Sequence, residues 1–189
     1  MLRFDSGRIC LDLVATGAYD SDQLDSAGRL GQWLLGTGLV PAGTPLAQAD
    51  GGWLVRFVEL RDQIGQLVYA ELTGRGGSAV AALERVNALA AAAPPGVRAI
   101  RGADGRLVRT FSGAPDCTAL LAVVARDAVE LLTDPRDRSR LRQCEGDNCF
   151  RLYLDTSRGR RRRWCSSEVC GNRERVARHR RRAAVAATS

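Results

Sequence analysis

Four cysteines in the last third of the chain, Cys144, Cys149, Cys165 and Cys170, form two pairs. Four residues lie between the members of each pair and fifteen between the pairs. Zinc takes four soft ligands in a tetrahedron at about 2.3 Å, and two cysteine pairs drawn together supply such a set. A gap of four is wider than the commoner two, so spacing alone leaves disulfides, redox pairs and an iron–sulfur cluster as alternatives. The neighbourhood favours the metal. Its large apolar residues are Phe150, Leu152, Tyr153, Leu154, Trp164 and Val169, too few to hold a fold unaided, and a bound ion supplies the missing stability. Four protein ligands close the coordination sphere, so a single structural zinc is expected rather than a catalytic one. The single histidine, His179, lies in an arginine-rich tail, so no Ser-His-Asp or Cys-His arrangement can be assembled and an enzyme is not expected. Cys10 and Cys117 stand alone among apolar residues and read as small buried hydrophobes.

Arginine surrounds the quartet. Arg158, Arg160, Arg161, Arg162 and Arg163 precede Cys165; Arg173, Arg175, Arg178, Arg180, Arg181 and Arg182 follow Cys170. Residues 1–135 carry a net charge of −3, residues 136–189 a net +10, and every basic residue of the chain is arginine. An acidic body with a basic tail is the footprint of a polyanion-binding arm. Guanidinium groups bind phosphate bidentately and read guanine edges, so these eleven arginines are the candidate nucleic-acid contacts. The plain alternative is a solvated charge run that keeps the protein soluble.

The elements that position these groups follow from periodicity. Arg8 to Thr16 is short, apolar and partly β-branched, and reads as a buried strand or extended segment. Within it, Asp12 and Thr16 are candidate ligand-binding residues, with a capping or turn role as the alternative. Leu24, Leu30, Trp33 and Leu34 recur at helical spacing, and Trp53 to Thr73 is a long amphipathic helix stopped by Gly74. Ser78 can cap a helix through Ala93, ended by Pro94-Pro95. Val97–Arg101 and Arg106–Phe111 flank a turn at Ala103-Asp104-Gly105, a β-hairpin pattern. Pro115 opens a strong helix closed by Asp134-Pro135. In the tail, 150–154 reads as a strand, 158–160 as a turn, and Asn172 as the cap of a helix from Arg173 to about Ala187. Cysteines, hairpin, then cysteines feeding a helix is a treble-clef-like zinc finger.

The expected fold is therefore mainly α with a small β component (α+β): a mostly helical domain at 1–135, able to fold alone, then a zinc finger at 136–189. No window approaches a membrane span or a signal peptide, so a cytoplasmic protein with no membrane partner is expected.

The pattern Cys144…Cys149…Leu154-Asp155-x-Ser157…Arg163-Trp164-Cys165…Cys170-Gly171-Asn172-Arg173 resembles the CGNR zinc finger. Cys10 to Thr16 is similar to the opening Leu-Asp-Phe-Val-Asn-Thr motif of the ABATE domain that precedes that finger, with Leu13 for the family's Phe and Ala15 for its Asn. The resemblance spans essentially the whole chain. It implies a bacterial stress-response transcription regulator that binds double-stranded DNA, its N-terminal domain regulatory and open to a small-molecule effector. A protein-interaction adaptor without direct DNA binding is the rival reading. Oligomeric state, target sequence and inducer stay open.

Overall fold

In the computed structural model, residues 2–18 and 21–187 are described, apart from the side chains of Ser78 and of residues 182–187. The order is α1 (Ile9–Val14), a 3-10 turn (Ala15–Gly17), α2 (Ala27–Gly36), α3 (Gly51–Leu72), a second 3-10 turn (Gly76–Ala79), α4 (Val80–Ala90), β1 (Val97–Arg101), β2 (Leu107–Phe111), α5 (Cys117–Thr133), α6 (Pro135–Arg138), β3 (Leu141–Gln143), β4 (Leu152–Leu154) and α7 (Cys170–Ala187). Two separate two-stranded antiparallel sheets, β1–β2 and β3–β4, sit in this mainly helical chain. The expected class holds.

Side-chain caps fix the starts of α2, α3 and α5, as Asp134 does for the short α6. Ser26 accepts from Arg29 N at 3.3 Å, Asp50 from Trp53 N at 3.1 Å, and Asp116 from Ala119 N at 3.0 Å. Gly74, at φ +68°, follows the end of α3, where a left-handed residue unwinds the chain without the Cβ penalty. The proposed capping role of Ser78 lies outside the described residues; α4 itself starts at Val80, with no side-chain cap at Ala79.

The segment read as a strand is a helix. Cys10, Leu11, Leu13 and Asp12 are all buried in α1, which packs against both α3 and α5. A run that is apolar on every side carries no period, so sequence alone cannot choose strand or helix. Tertiary hydrogen bonding chooses here: the free N–H of Cys10 at the helix start donates to the Asp127 carboxylate of α5 at 2.9 Å, and Asp12 N closes the first turn onto Arg8 O at 3.0 Å.

One apolar cluster spans α1 to α5, with Trp33 meeting Phe57 edge-on at 6.0 Å between centroids. Each such buried side chain contributes roughly 1.5–3 kcal/mol against exposure. The cluster does not stop at residue 135: Leu141, Leu152 and Leu154 of β3 and β4 belong to it. Residues 5–8 strap the two parts together. Leu154 N donates to Ser6 O at 2.8 Å, Ser6 N donates to Asp12 at 2.9 Å, and Arg8 pairs with Asp127 and Asp137 at 2.9 and 3.3 Å.

Candidate metal centre and arginine surface

The C-terminal module starts with the β3–β4 hairpin, whose register pairs Leu141 with Leu154, Arg142 with Tyr153 and Gln143 with Leu152. Its loop holds the first cysteine pair. Cys144 N donates to Arg151 O at 2.9 Å and Cys149 N to Gly146 O at 3.1 Å, folding the loop into a knuckle. Asn148 takes the left-handed turn at φ +55°, which asparagine tolerates. Gly146 has a different reason to be glycine: a Cβ there would sit 3.2 Å from Cys170 Cβ and 3.5 Å from Cys144 Sγ. The second pair arrives on the chain leaving β4. Glu145 N donates to Arg163 O at 2.9 Å, and Cys165 N to Cys144 Sγ at 3.3 Å.

All four sulfurs lie within 4.8 Å of one another and all four residues are buried. A tetrahedron with 2.3 Å bonds has edges of about 3.8 Å. The Cys149–Cys165 and Cys165–Cys170 separations are 3.8 and 3.6 Å. The donor set fits zinc. Without a cation the four do not ionise together: the hydrogen bond from Cys165 lowers Cys149, the same bond pushes Cys165 up, and burial pushes Cys170 up. A dication lets all four ionise together. The site is a structural Zn²⁺ centre that leaves no coordination position open.

Cys170 is the first residue of α7, so the metal grips the helix at its start. This corrects the expectation that Asn172 caps a helix from Arg173. Asn172 lies inside α7; the entry turn is closed instead by Val169 N onto Ser166 Oγ at 3.2 Å and Gly171 N onto Ser166 O at 2.9 Å. The metal ligand starts the helix three positions before the asparagine could.

Beneath the metal lies a polar frame that composition could not reveal. Tyr153, fully buried beside the cysteines, donates from its hydroxyl to Arg162 O at 2.6 Å. Asp155, also fully buried, accepts from Ser157 N at 2.9 Å and Arg162 N at 3.0 Å. Burial opposes its ionisation, yet the hydrogen bonds from Ser157 and Arg162 outweigh it and hold the carboxyl below its ordinary range. Buried Arg151 donates to Asp5 and to Ser6 Oγ, both at 2.8 Å. The pairing of Asp155 with Ser157 was the available signal for the loop brace; nothing local in the sequence announces Arg151, whose partners lie near the N-terminus.

The eleven predicted arginines now separate. Arg162 is turned inward, against expectation: its guanidinium lies 4.8 Å from the Tyr153 ring centre and donates to Trp164 O at 2.9 Å and to Cys165 O. Once Asp155 holds its amide, the side chain is directed onto the metal loop rather than out. Arg163 pairs with Glu145 at 2.6 Å over Trp164, Arg173 donates to Asp147 O at 3.4 Å, Arg175 to Ser167 O at 3.3 Å, and Arg181 pairs with Glu174 at 3.9 Å. Among the described residues Arg158, Arg160, Arg161, Arg178 and Arg180 are exposed and have no protein partner. The side chain of Arg182 lies outside the described residues.

Asp12 and Thr16 do not converge. Asp12 is committed to Ser6 N, and Thr16 donates to Leu13 O at 2.7 Å, a helix-end bond. Asp12 borders a surface cavity of about 420 Å³ with Phe4, Arg8 and Gly36; Thr16 does not line it. Burial, only partly offset by Ser6, raises the Asp12 pKa.

Comparison with known families decides the relationship. The ABATE family model, described as "putative stress-induced transcription regulator", matches residues 7–135. The chain belongs to the ABATE family. The CGNR zinc finger model matches residues 140–183 and so takes in all four cysteines of the metal centre. A search of curated proteins found no significant match. Among the described residues of this ABATE-family chain, no helix is long and apolar enough to cross a membrane.

Proposed function

We propose that this ABATE-family protein is a zinc-dependent DNA-binding transcription regulator of the cytoplasm. In this reading the helical body receives an effector, and the chain acts by binding rather than by catalysis. The observation that carries it is the set of five exposed arginines without protein partners, Arg158, Arg160, Arg161, Arg178 and Arg180, on the two segments joined at the metal. Their mutual repulsion is relieved by a polyanion. Placed on a helix and a turn rather than in one row, they suit phosphate contacts first and base edges second.

The test is binding to duplex DNA as a function of salt. Five phosphate contacts give a slope of log K against log salt of about −4.5, equivalent to about a 500-fold loss between 50 and 200 mM. Replacing the five unpaired arginines by Gln should flatten that slope to near zero while zinc content stays at one per chain. Replacing Arg163, Arg173 and Arg175, already engaged with protein groups, should flatten it less. Saturable binding to an acidic protein with no DNA binding at low salt would turn the assignment to the adaptor reading.

A further inference from the structure

One cavity among the described residues includes none of the candidate metal, nucleic-acid or effector residues named from the sequence. It holds about 790 Å³ between the 41–48 loop, the β1–β2 hairpin and residues 113–115, a volume within the roughly 300–1,000 Å³ typical of small-molecule sites. We propose that this cleft binds a largely apolar small molecule, not a cation, with one or two hydrogen-bonding groups. The proposal deepens the effector part of the proposed function by naming the site and the ligand class; it does not depend on DNA binding.

The cleft is built rather than left over. Gln48 Nε2 donates to Pro115 O at 3.2 Å, and Arg109 donates to Gly38 O at 3.2 Å, so two long-range bonds hold the three segments at fixed separation. Pro41, Pro45 and Pro115 stiffen the walls, because their φ is locked. Ile100 and Val108, directly paired across the hairpin, face it while remaining 43% and 42% exposed. Two β-branched side chains held opposite each other and left open to water gain by being covered.

Charge narrows the ligand. Arg109 is the single ionisable residue lining the cleft, and its guanidinium is held by neutral partners, Gly38 O and the Phe111 ring, 5.7 Å from the centroid. No carboxylate lines the cleft, so a cationic ligand would find no counter-charge there, and an uncompensated charge in an apolar cleft is costly. The uncommitted polar groups are the hydroxyls of Thr44 and Thr110, which suit a carbonyl, ether or hydroxyl on an otherwise apolar body.

The experiment titrates the full zinc-loaded chain with N-phenyl-1-naphthylamine, a neutral apolar fluorophore, in the absence of DNA. Saturable binding at about one probe per chain is expected. Ile100→Asp and Val108→Asp should each weaken it about tenfold or more, since both put a carboxylate on the apolar wall. Leu107→Asp should leave it unchanged: Leu107 lies outside the cleft and is 68% exposed. Ala42→Trp, an exposed lining position, should block the cleft without touching the core. Circular dichroism confirms that each variant is folded. Non-saturable probe binding, equal loss in Leu107→Asp, or full binding by Ala42→Trp overturns the proposal. So does concentration-dependent dimerisation abolished by Ile100→Asp, which would give the wall to a second copy. Because DNA is absent, failure here leaves the regulator reading standing, and a lost salt slope leaves the cleft standing.

Discussion

The two regions of this chain are held by different forces. The body is organised by one apolar cluster running from Cys10 to Leu131, in which Trp33, Phe57, Leu60, Ile64 and Leu120 are fully buried. The finger's own cluster consists of Cys144, Cys149, Tyr153, Cys165 and Cys170, with Trp164 against it. Area burial can stabilise the first. It cannot stabilise the second, where the metal and the frame of Tyr153, Asp155 and Arg162 replace it. The difference teaches that the finger's outer half is metal-made, while its inner half, Leu141, Leu152 and Leu154, is an extension of the body.

The largest effect should come from taking the metal away. Structural zinc contributes an apparent 10–16 kcal/mol in small finger peptides at neutral pH, far more than any single side chain here. Native protein should carry one zinc per chain by elemental analysis. Cys149→Ser should release it and expose the amides of residues 144–175 to hydrogen exchange, with α1 to α5 still protected. Loss of protection throughout the body would show that the two regions are not held separately.

The joint between the regions is the next test. Gly7 has φ +92°, and a Cβ there would lie 3.1 Å from Leu154 Cβ, so Gly7→Ala meets both backbone strain and a clash with the finger strand. A cost of about 1–3 kcal/mol is expected, with faster exchange of the Leu154 amide that donates to Ser6 O. Gly43→Ala is the control: φ is +80° but the space around it is open, so only the backbone cost, about 1 kcal/mol, applies. Equal effects of the two would mean that the strap packs no more tightly than a surface turn.

The smallest effect concerns Asp12 inside the body. Its folded pKa is raised above the ordinary 3.8, chiefly by burial. Its contribution is therefore fully present below that pH and fades as pH rises through the raised value. Asp12→Asn keeps an oxygen for Ser6 N. It should change stability at pH 7 by less than about 1 kcal/mol and remove part of the decline as pH climbs from about 4. Chemical denaturation at stepped pH measures it. A stability loss at pH 7 that grows with pH would mean that Arg151 and Ser6 hold the carboxylate charged against its burial.

Legibility followed the same division. The long helices were readable because α2, α3 and α5 each put an apolar stripe on a 3.6-residue period behind a Ser or Asp cap. The β1–β2 hairpin followed from its turn residues. The metal ligands were readable from type and spacing together with the scarcity of large apolar residues around them. What failed was whatever depends on distant partners. α1 is helical because Asp127, more than a hundred residues on, takes the Cys10 amide. Arg162 points inward because Asp155 and Tyr153 receive it, and a group of five arginines gives no local sign of which one turns inward. The strand read at 150–154 is the three-residue β4, Leu152–Leu154, legible by its apolar run; its equally short partner β3, Leu141-Arg142-Gln143, carries no such run.

The central claim is that zinc turns these arginines into an ordered DNA-reading surface. Its most direct measurement compares native protein with Cys149→Ser, which has the same arginine content, in competition between a selected duplex and random duplexes. The native chain should prefer the selected duplex. The zinc-free variant should retain weak binding and lose that preference, because a disordered polycation senses phosphate and not sequence. Equal discrimination by both proteins would contradict the claim.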